Sequence, residues 1–258
     1  MESNSILIVA AFLTAIISGT IGMGGGILLF TVMANFLPPL ALIPLHGIVQ
    51  LTSNLSRTAL NWRYINRAIT ITFVIGALIG AVLGLLAMLG LFGSFVETSE
   101  LALKSTKKLD IPESEYKVFL GCFILALTWL PKVKNFPKVP WKFAWVGAIA
   151  TFLSLFVGAT GPIIAPFYLR EGLEKETLVV TKAAGQATVH TLKLLVFFYL
   201  GFKIGHHLGL IINMGIAVFF GNWIGKHLLG KISPKFFLWS FRIVITLLAV
   251  RMIAVAIL

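Results

Sequence analysis

Apolar residues in this chain come in blocks of helical length, cut by glycine, proline and a few polar clusters whose order sets the predicted elements. A helix over 5–18 stops at Gly19, and a second apolar segment resumes after Gly22-Met23-Gly24-Gly25-Gly26 and runs to Leu37. Each piece is shorter than the roughly 20 residues a membrane-crossing helix needs. Pro38-Pro39 and Pro44 mark a turn, and a helix over 45–61 ends at the polar turn 61–67. A long apolar run, Ala68 to Phe92, carries Gly76, Gly80 and Gly84 at four-residue spacing, which lets helices approach closely in lipid. A polar loop over 93–115 and a helix over 116–130 follow. After the basic, proline-punctuated segment 131–140 the plan recurs: a run over 141–157, a break at Gly158-Ala159-Thr160-Gly161-Pro162, a short run to Leu169, then helices over 177–200, 207–229 and 235–257.

Composition sets the class. The 258 residues are 58% hydrophobic with a mean hydropathy of +0.98, and only 12% are charged, about half the share of an ordinary soluble domain. The runs are too long for the alternating strands of a membrane β-barrel. The fold class is therefore an all-α integral membrane protein that crosses the bilayer several times. A net charge of +12 suggests nucleic acid in a soluble protein, but here most Lys and Arg sit in short loops beside apolar spans, where they signal topology. The single Cys122 excludes an internal disulfide and a thiol metal cluster. Only Glu2 and no cation precedes the first apolar run, which reads as a membrane helix and not as a cleaved signal peptide.

The recurrence extends to chemistry. Gln50-Leu51-Thr52-Ser53-Asn54-Leu55-Ser56-Arg57 is matched 136 positions later by Gln186-Ala187-Thr188-Val189-His190-Thr191-Leu192-Lys193. Gly19-Thr20-Ile21-Gly22 pairs with Gly158-Ala159-Thr160-Gly161 at 139, and Gly80 and Gly84 pair with Gly221 and Gly225 at 141. We read 1–130 as a first membrane repeat, 131–140 as a basic linker and 141–258 as a second repeat. Each repeat is a glycine-broken helical hairpin plus about three transmembrane helices. Arg57, Arg63 and Arg67 place the 61–67 turn in the cytoplasm, as do Lys132, Lys134, Lys138 and Lys142 for the linker and Lys226, Lys231 and Lys235 for the last turn. The two repeats then have inverted topology, the arrangement in which paired, interrupted short helices mark a transporter's binding site.

Backbone freed by a break inside lipid must face protein or water, and a half-helix starting after it turns N–H groups and a positive dipole end toward an anion. Gly22, Gly24, Gly25 and Gly26 in the first break, and Gly158, Thr160 and Gly161 in the second, are candidates for that role. On the following helices Gln50, Asn54 and Arg57 share one face, as do Gln186, His190 and Lys193, with Thr52 and Thr188 up to half a turn around. Arg57 and Lys193 supply charge, and the amides, threonines and His190 supply hydrogen bonds. All nine acidic residues fall in predicted termini or loops, so an anion is the simplest partner for the intramembrane cations. His46 and His190 are the groups there that titrate near neutrality. No catalytic motif, metal-ligand spacing or dinucleotide fingerprint is evident, so neither an enzyme nor a cofactor is expected.

Ser18-Gly19-Thr20-Ile21-Gly22-Met23-Gly24-Gly25-Gly26 and Val157-Gly158-Ala159-Thr160-Gly161-Pro162 resemble the paired motifs of the TauE/SafE sulfite exporter family, also called the TSUP family. The resemblance covers the whole chain. One departure is Gly-Pro-Ile-Ile in the second break, where the first has a glycine run. The resemblance implies a carrier in the inner membrane of a bacterium or archaeon. Together with the inverted repeats, it leads to the expectation of a secondary carrier that moves a small sulfur-containing anion (sulfite, sulfoacetate or another organosulfonate) by alternating access, with export as the expected direction and the identity of the anion open. A coupling ion, proton or sodium, and a homo-oligomer stay open. The competing readings are an anion channel of the same architecture and a membrane-embedded enzyme or assembly factor.

Overall fold

A computed structural model describes residues 2–22, 24–92, 112–129, 140–228 and 234–257. Among them are ten α-helices and no strand: α1 (Glu2–Ile21), α2 (Gly25–Ala34), α3 (Pro39–Leu60), α4 (Arg67–Phe92), α5 (Glu113–Trp129), α6 (Lys142–Val157), α7 (Gly161–Leu169), α8 (Lys175–Tyr199), α9 (Leu208–His227) and α10 (Pro234–Ile257). Three of them are apolar and long enough to cross a bilayer, over Ser3–Ile21, Arg67–Gly90 and Leu208–His227. Residues 93–111 of the predicted 93–115 loop, residues 131–139 of the linker 131–140 and Lys231 lie outside the described residues.

Several expected boundaries shift. The first helix does not stop at Gly19 but continues to Ile21, because Gly19 serves a helix contact and needs no turn. A Cβ there would lie 3.0 Å from the Asn222 carbonyl oxygen and the Gly225 Cα of α9. The chain turns instead at Gly22 and Gly158, with φ of 78° and 80°, a left-handed region that favours glycine. These residues are 136 positions apart, the spacing of the polar octets, so the pairing at 139 is replaced. Pro44 lies within α3, not in the turn before it; that helix opens at Pro39, where the missing N–H costs nothing. Residues 113–115, expected in a loop, begin α5.

Small residues govern the closest packing. On α4, a Cβ at Gly76 or Gly80 would collide with the carbonyl of Ala144 or Ala148 on α6, and Gly147 approaches the Phe73 carbonyl in return. On α9, a Cβ at Gly221 or Gly225 would lie 2.5 Å from the carbonyl oxygen of Phe12 or Ile16 on α1. Both pairs run parallel, since position numbers rise together along them. By contrast α3 and α8 are antiparallel: Gly47 sits against Lys193 and Leu194, while beyond the end of α3 the Asn66 N–H donates to Thr181 Oγ1 at 3.0 Å. The same holds for α5 and α10, where Gly121 meets Ala249 and Ile253 and Trp129 Nε1 donates to Thr246 Oγ1 at 2.9 Å.

Polarity is distributed inside out. Ile6, Val9 and Leu13 on α1, Ile71, Ile75, Leu78 and Val82 on α4, and Ile212, Ile216 and Phe219 on α9 are exposed, whereas Gln50, Asn54, Arg57, Lys182, His190, Lys193 and Asn222 are buried. Apolar stripes facing outward and charges facing inward suit lipid surroundings. One apolar cluster surrounds the short α2 through Ile27, Leu29, Phe30 and Met33; another joins Phe73, Phe143, Val146 and Tyr168 beneath α7 and α8. These clusters hold the broken helices in place around the centrally packed α3 and α8.

The α4–α6 contact yields a matched test. Gly80→Leu forces a side chain into the Ala148 backbone and should cost about 1–3 kcal/mol or more, lowering the thermal midpoint in detergent. Gly90→Leu, on the same helix with nothing within 4 Å of its Cβ position, should leave that midpoint nearly unchanged.

Candidate functional site

α3 and α8 each carry a polar stripe one turn longer than the octets suggest. His46, Gln50, Asn54 and Arg57 are answered by Lys182, Gln186, His190 and Lys193, every pair 136 positions apart. Spacings of four, four and three keep each set on one helix face. Because the helices are antiparallel, His46 stands beside His190, with ring centroids 6.0 Å apart and planes at 79°. Arg57 lies at the other end, where Lys182 reaches α1.

The two breaks meet these stripes. At each break one helix ends and another begins, so unpaired carbonyls and unpaired N–H groups both appear inside the protein. Lys182 Nζ donates to the Gly22 carbonyl oxygen at the end of α1, and Lys193 Nζ to the Gly158 carbonyl oxygen at the end of α6, each at 3.0 Å. Cations at helix C-termini meet the negative dipole end. Arg57 also binds α1, through Nη1 to the Ser18 carbonyl oxygen at 3.3 Å, while Nη2 donates to Asn54 Oδ1. Asn54 in turn donates to the Gln50 carbonyl oxygen at 2.7 Å. Arg57 is 4% exposed, so it does not snorkel to the 61–67 turn and is not one of that turn's exposed charges.

What remains is the positive side of each break. The first helical bond at the start of α2 runs from Leu28 N to Gly24 O at 3.1 Å, which leaves the earlier N–H groups of that turn without helical acceptors. A small cavity of ≈ 20 Å³ lies between the starts of α2 and α7, room for about one or two waters. Gly24, Gly26 and Ile27 line it from α2, and Thr160, Gly161 and Pro162 from α7. Gly22, His46, Gln50 and Arg57 close one side, and Lys182, Gln186 and His190 the other. Three cations, Arg57, Lys182 and Lys193, are buried, and among the described residues no carboxylate is.

Of the candidates read from the sequence, Arg57, Gln50, Gln186, His190, Gly22, Gly24, Gly26, Thr160 and Gly161 converge on the cavity. Asn54 stands behind it and holds Arg57. Lys193 and Gly158 pair with each other through the break carbonyl. Gly25 packs against Thr14 and Ser18 of α1. Thr52 and Thr188 bond back to the carbonyls of Ile48 and Ala184 within their own helices, at 3.1 and 3.2 Å, and Thr52 faces Gly215 of α9. Lys182 and Ser18 were not among the candidates. Lys182 was accessible to sequence reasoning, since it precedes Gln186 by one helical turn on the same face.

Comparison with known proteins bears on the same segments. A model of the family described as "Sulfite exporter TauE/SafE" matches residues 7–252, a stretch that contains both breaks and both stripes. Comparisons with curated proteins and with solved structures gave no match. With nearly its whole length covered, this helical membrane protein belongs to the TauE/SafE sulfite exporter family, a transporter family.

Proposed function

We propose that the chain is a secondary carrier of a small sulfur-containing oxyanion, which it exports by alternating access. The observation that carries this reading is the cavity between the starts of α2 and α7, where Arg57 and Lys182 converge with two helix N-termini and no buried carboxylate is described. A buried cation is costly unless paired, and helix N-termini attract anions. The lysines already meet the carbonyl ends of the breaks, so the N–H ends and the guanidinium are what a ligand would complete. Guanidinium and amide N–H groups suit the oxygens of sulfite or a sulfonate. The tight, mostly polar lining favours the compact sulfite over sulfoacetate.

The two segments 1–130 and 141–258 act, on this proposal, as inverted repeats. Under the spacing of 136, α3 and α8 are counterparts, and the order of elements, each the last helix of its segment, makes α5 and α10 counterparts. Both pairs are antiparallel, and α1 packs on α9 as α6 packs on α4. Two-fold inversion about an axis in the membrane plane produces this set of contacts. The axis passes between α3 and α8, through the cavity, and alternating access would rock one repeat against the other around it.

Three outcomes are expected. Sulfite should raise the thermal midpoint of the purified protein, since a ligand at a hundred times its Kd adds about 2.7 kcal/mol, while equimolar chloride should not; equal shifts would remove the case for a sulfur-oxyanion site. In proteoliposomes loaded with sulfite, Arg57→Gln and Lys182→Met should each raise the half-saturating concentration of exchange at least about tenfold, a loss of about 1.4 kcal/mol. Lys203→Ala, at an exposed lysine outside the helices, should match the wild type. Unaltered exchange in both site variants would refute the assignment, and wild-type flux without saturation would favour a channel. For topology, in a Cys122→Ser background, Trp62→Cys and Glu174→Cys should react with an impermeant thiol reagent on one membrane face and Pro38→Cys and Lys203→Cys on the other. Labelling of all four from one face would overturn the inverted arrangement.

A further inference from the structure

We propose that the facing pair His46 and His190 is the coupling-ion site, binding one proton together with the transported anion; this rests on the carrier reading above. Both residues line the cavity and are 1% and 3% exposed. His46 Nε2 lies 2.9 Å from the Gly26 carbonyl oxygen. A carbonyl only accepts, so Nε2 carries the hydrogen and Nδ1 presents a bare lone pair. His46 Nδ1 and His190 Nδ1 are both buried without a hydrogen-bond partner. Two proton-accepting imidazoles thus stand 6.0 Å apart, centroid to centroid, on the wall of the cavity.

Their surroundings determine when a proton would be held. Of the charged side chains, Lys193 of α8 stands at the pair's end, while Arg57 of α3 and Lys182 of α8 line the other end of the same cavity. From α2 comes Phe30, whose ring meets His46 edge-on at 5.0 Å, with no charge. From α7 the cavity wall is Thr160, Gly161 and Pro162, which do not titrate. Three basic side chains and no described carboxylate are buried around this cavity, so a proton on the pair has no negative partner in the protein and would depend on the anion for one. A bound oxyanion reverses the local balance and makes imidazolium formation favourable. Linkage then requires the converse: protonation tightens the anion by the same factor. The proton enters from the face to which the cavity opens, rests on an imidazole Nδ1, and leaves with the anion when the opposite face opens. No bond to the anion forms or breaks. Sodium is disfavoured, because it needs several oxygen ligands, and the lining offers no carboxylate while the Gly22 and Gly158 carbonyls are taken by Lys182 and Lys193.

The test uses full-length protein in proteoliposomes with sulfoacetate and sulfate, whose charges change little between about pH 6 and 8, alongside sulfite. Equal-pH counterflow first identifies an anion that exchanges. A proton gradient imposed toward the receiving compartment should then raise net accumulation of that anion severalfold over exchange alone, and collapse of the gradient by a protonophore should abolish the gain. A sodium gradient should give none. His46→Gln and His190→Gln are expected to slow exchange, and in the double variant the ratio of gradient-driven accumulation to exchange should fall to one. Exchange in the wild type that ignores the proton gradient, or a double variant that keeps the wild-type ratio, overturns the coupling site and leaves the anion carrier standing. Absence of exchange for all three anions overturns the carrier reading, and the coupling with it. If the histidine variants do not fold, the wild-type response to the gradient decides alone.

Discussion

A break in a membrane helix creates two ends of opposite polarity, and the structure follows from how each is satisfied. Carbonyls at the end of α1 and α6 cannot be left to lipid. Lys182 and Lys193 meet them at 3.0 Å, so the negative ends are neutralised by side chains of the protein. The N–H ends receive no such partner, because no carboxylate is buried among the described residues. Electrostatic asymmetry between the two sides of each break, more than any one residue, is the ground for the proposed anion site.

Packing serves this arrangement. Glycine at Gly22 and Gly158 allows the backbone to turn where an L side chain would be strained, while Gly19, Gly76, Gly80, Gly221 and Gly225 bring neighbouring backbones into contact. The two uses look alike in a sequence, since both place glycine in an apolar helix. That is why Gly19 read as a turn and the pairing fell at 139. Only the backbone angle separates a glycine that bends from one that admits a neighbour.

Other features were legible because they depend on periodicity. Helix class, the two breaks, and the faces carrying Gln50, Arg57, Gln186 and His190 all follow from spacing along a helix. Less legible were contacts set by tertiary direction. Whether Thr52 points at the cavity or at α9, and whether Arg57 reaches inward to Ser18 or outward to its loop, depends on which helices surround α3. Lys182 is harder to place from sequence, because it lies only seven residues into its helix, near the polar end. The antiparallel meeting of α3 and α8 places it opposite the other break's helix instead.

Both lysines that satisfy the break carbonyls belong to α8. They are eleven residues apart, roughly 16 Å along one rigid rod, and each holds a different half of the chain. The two breaks therefore share a single ruler. Loss or gain of one residue between Lys182 and Lys193 would turn one ammonium about 100° away from its carbonyl, so this stretch tolerates substitution on its outer face but no change of length, whereas the connecting turns outside the helices are free of that restriction.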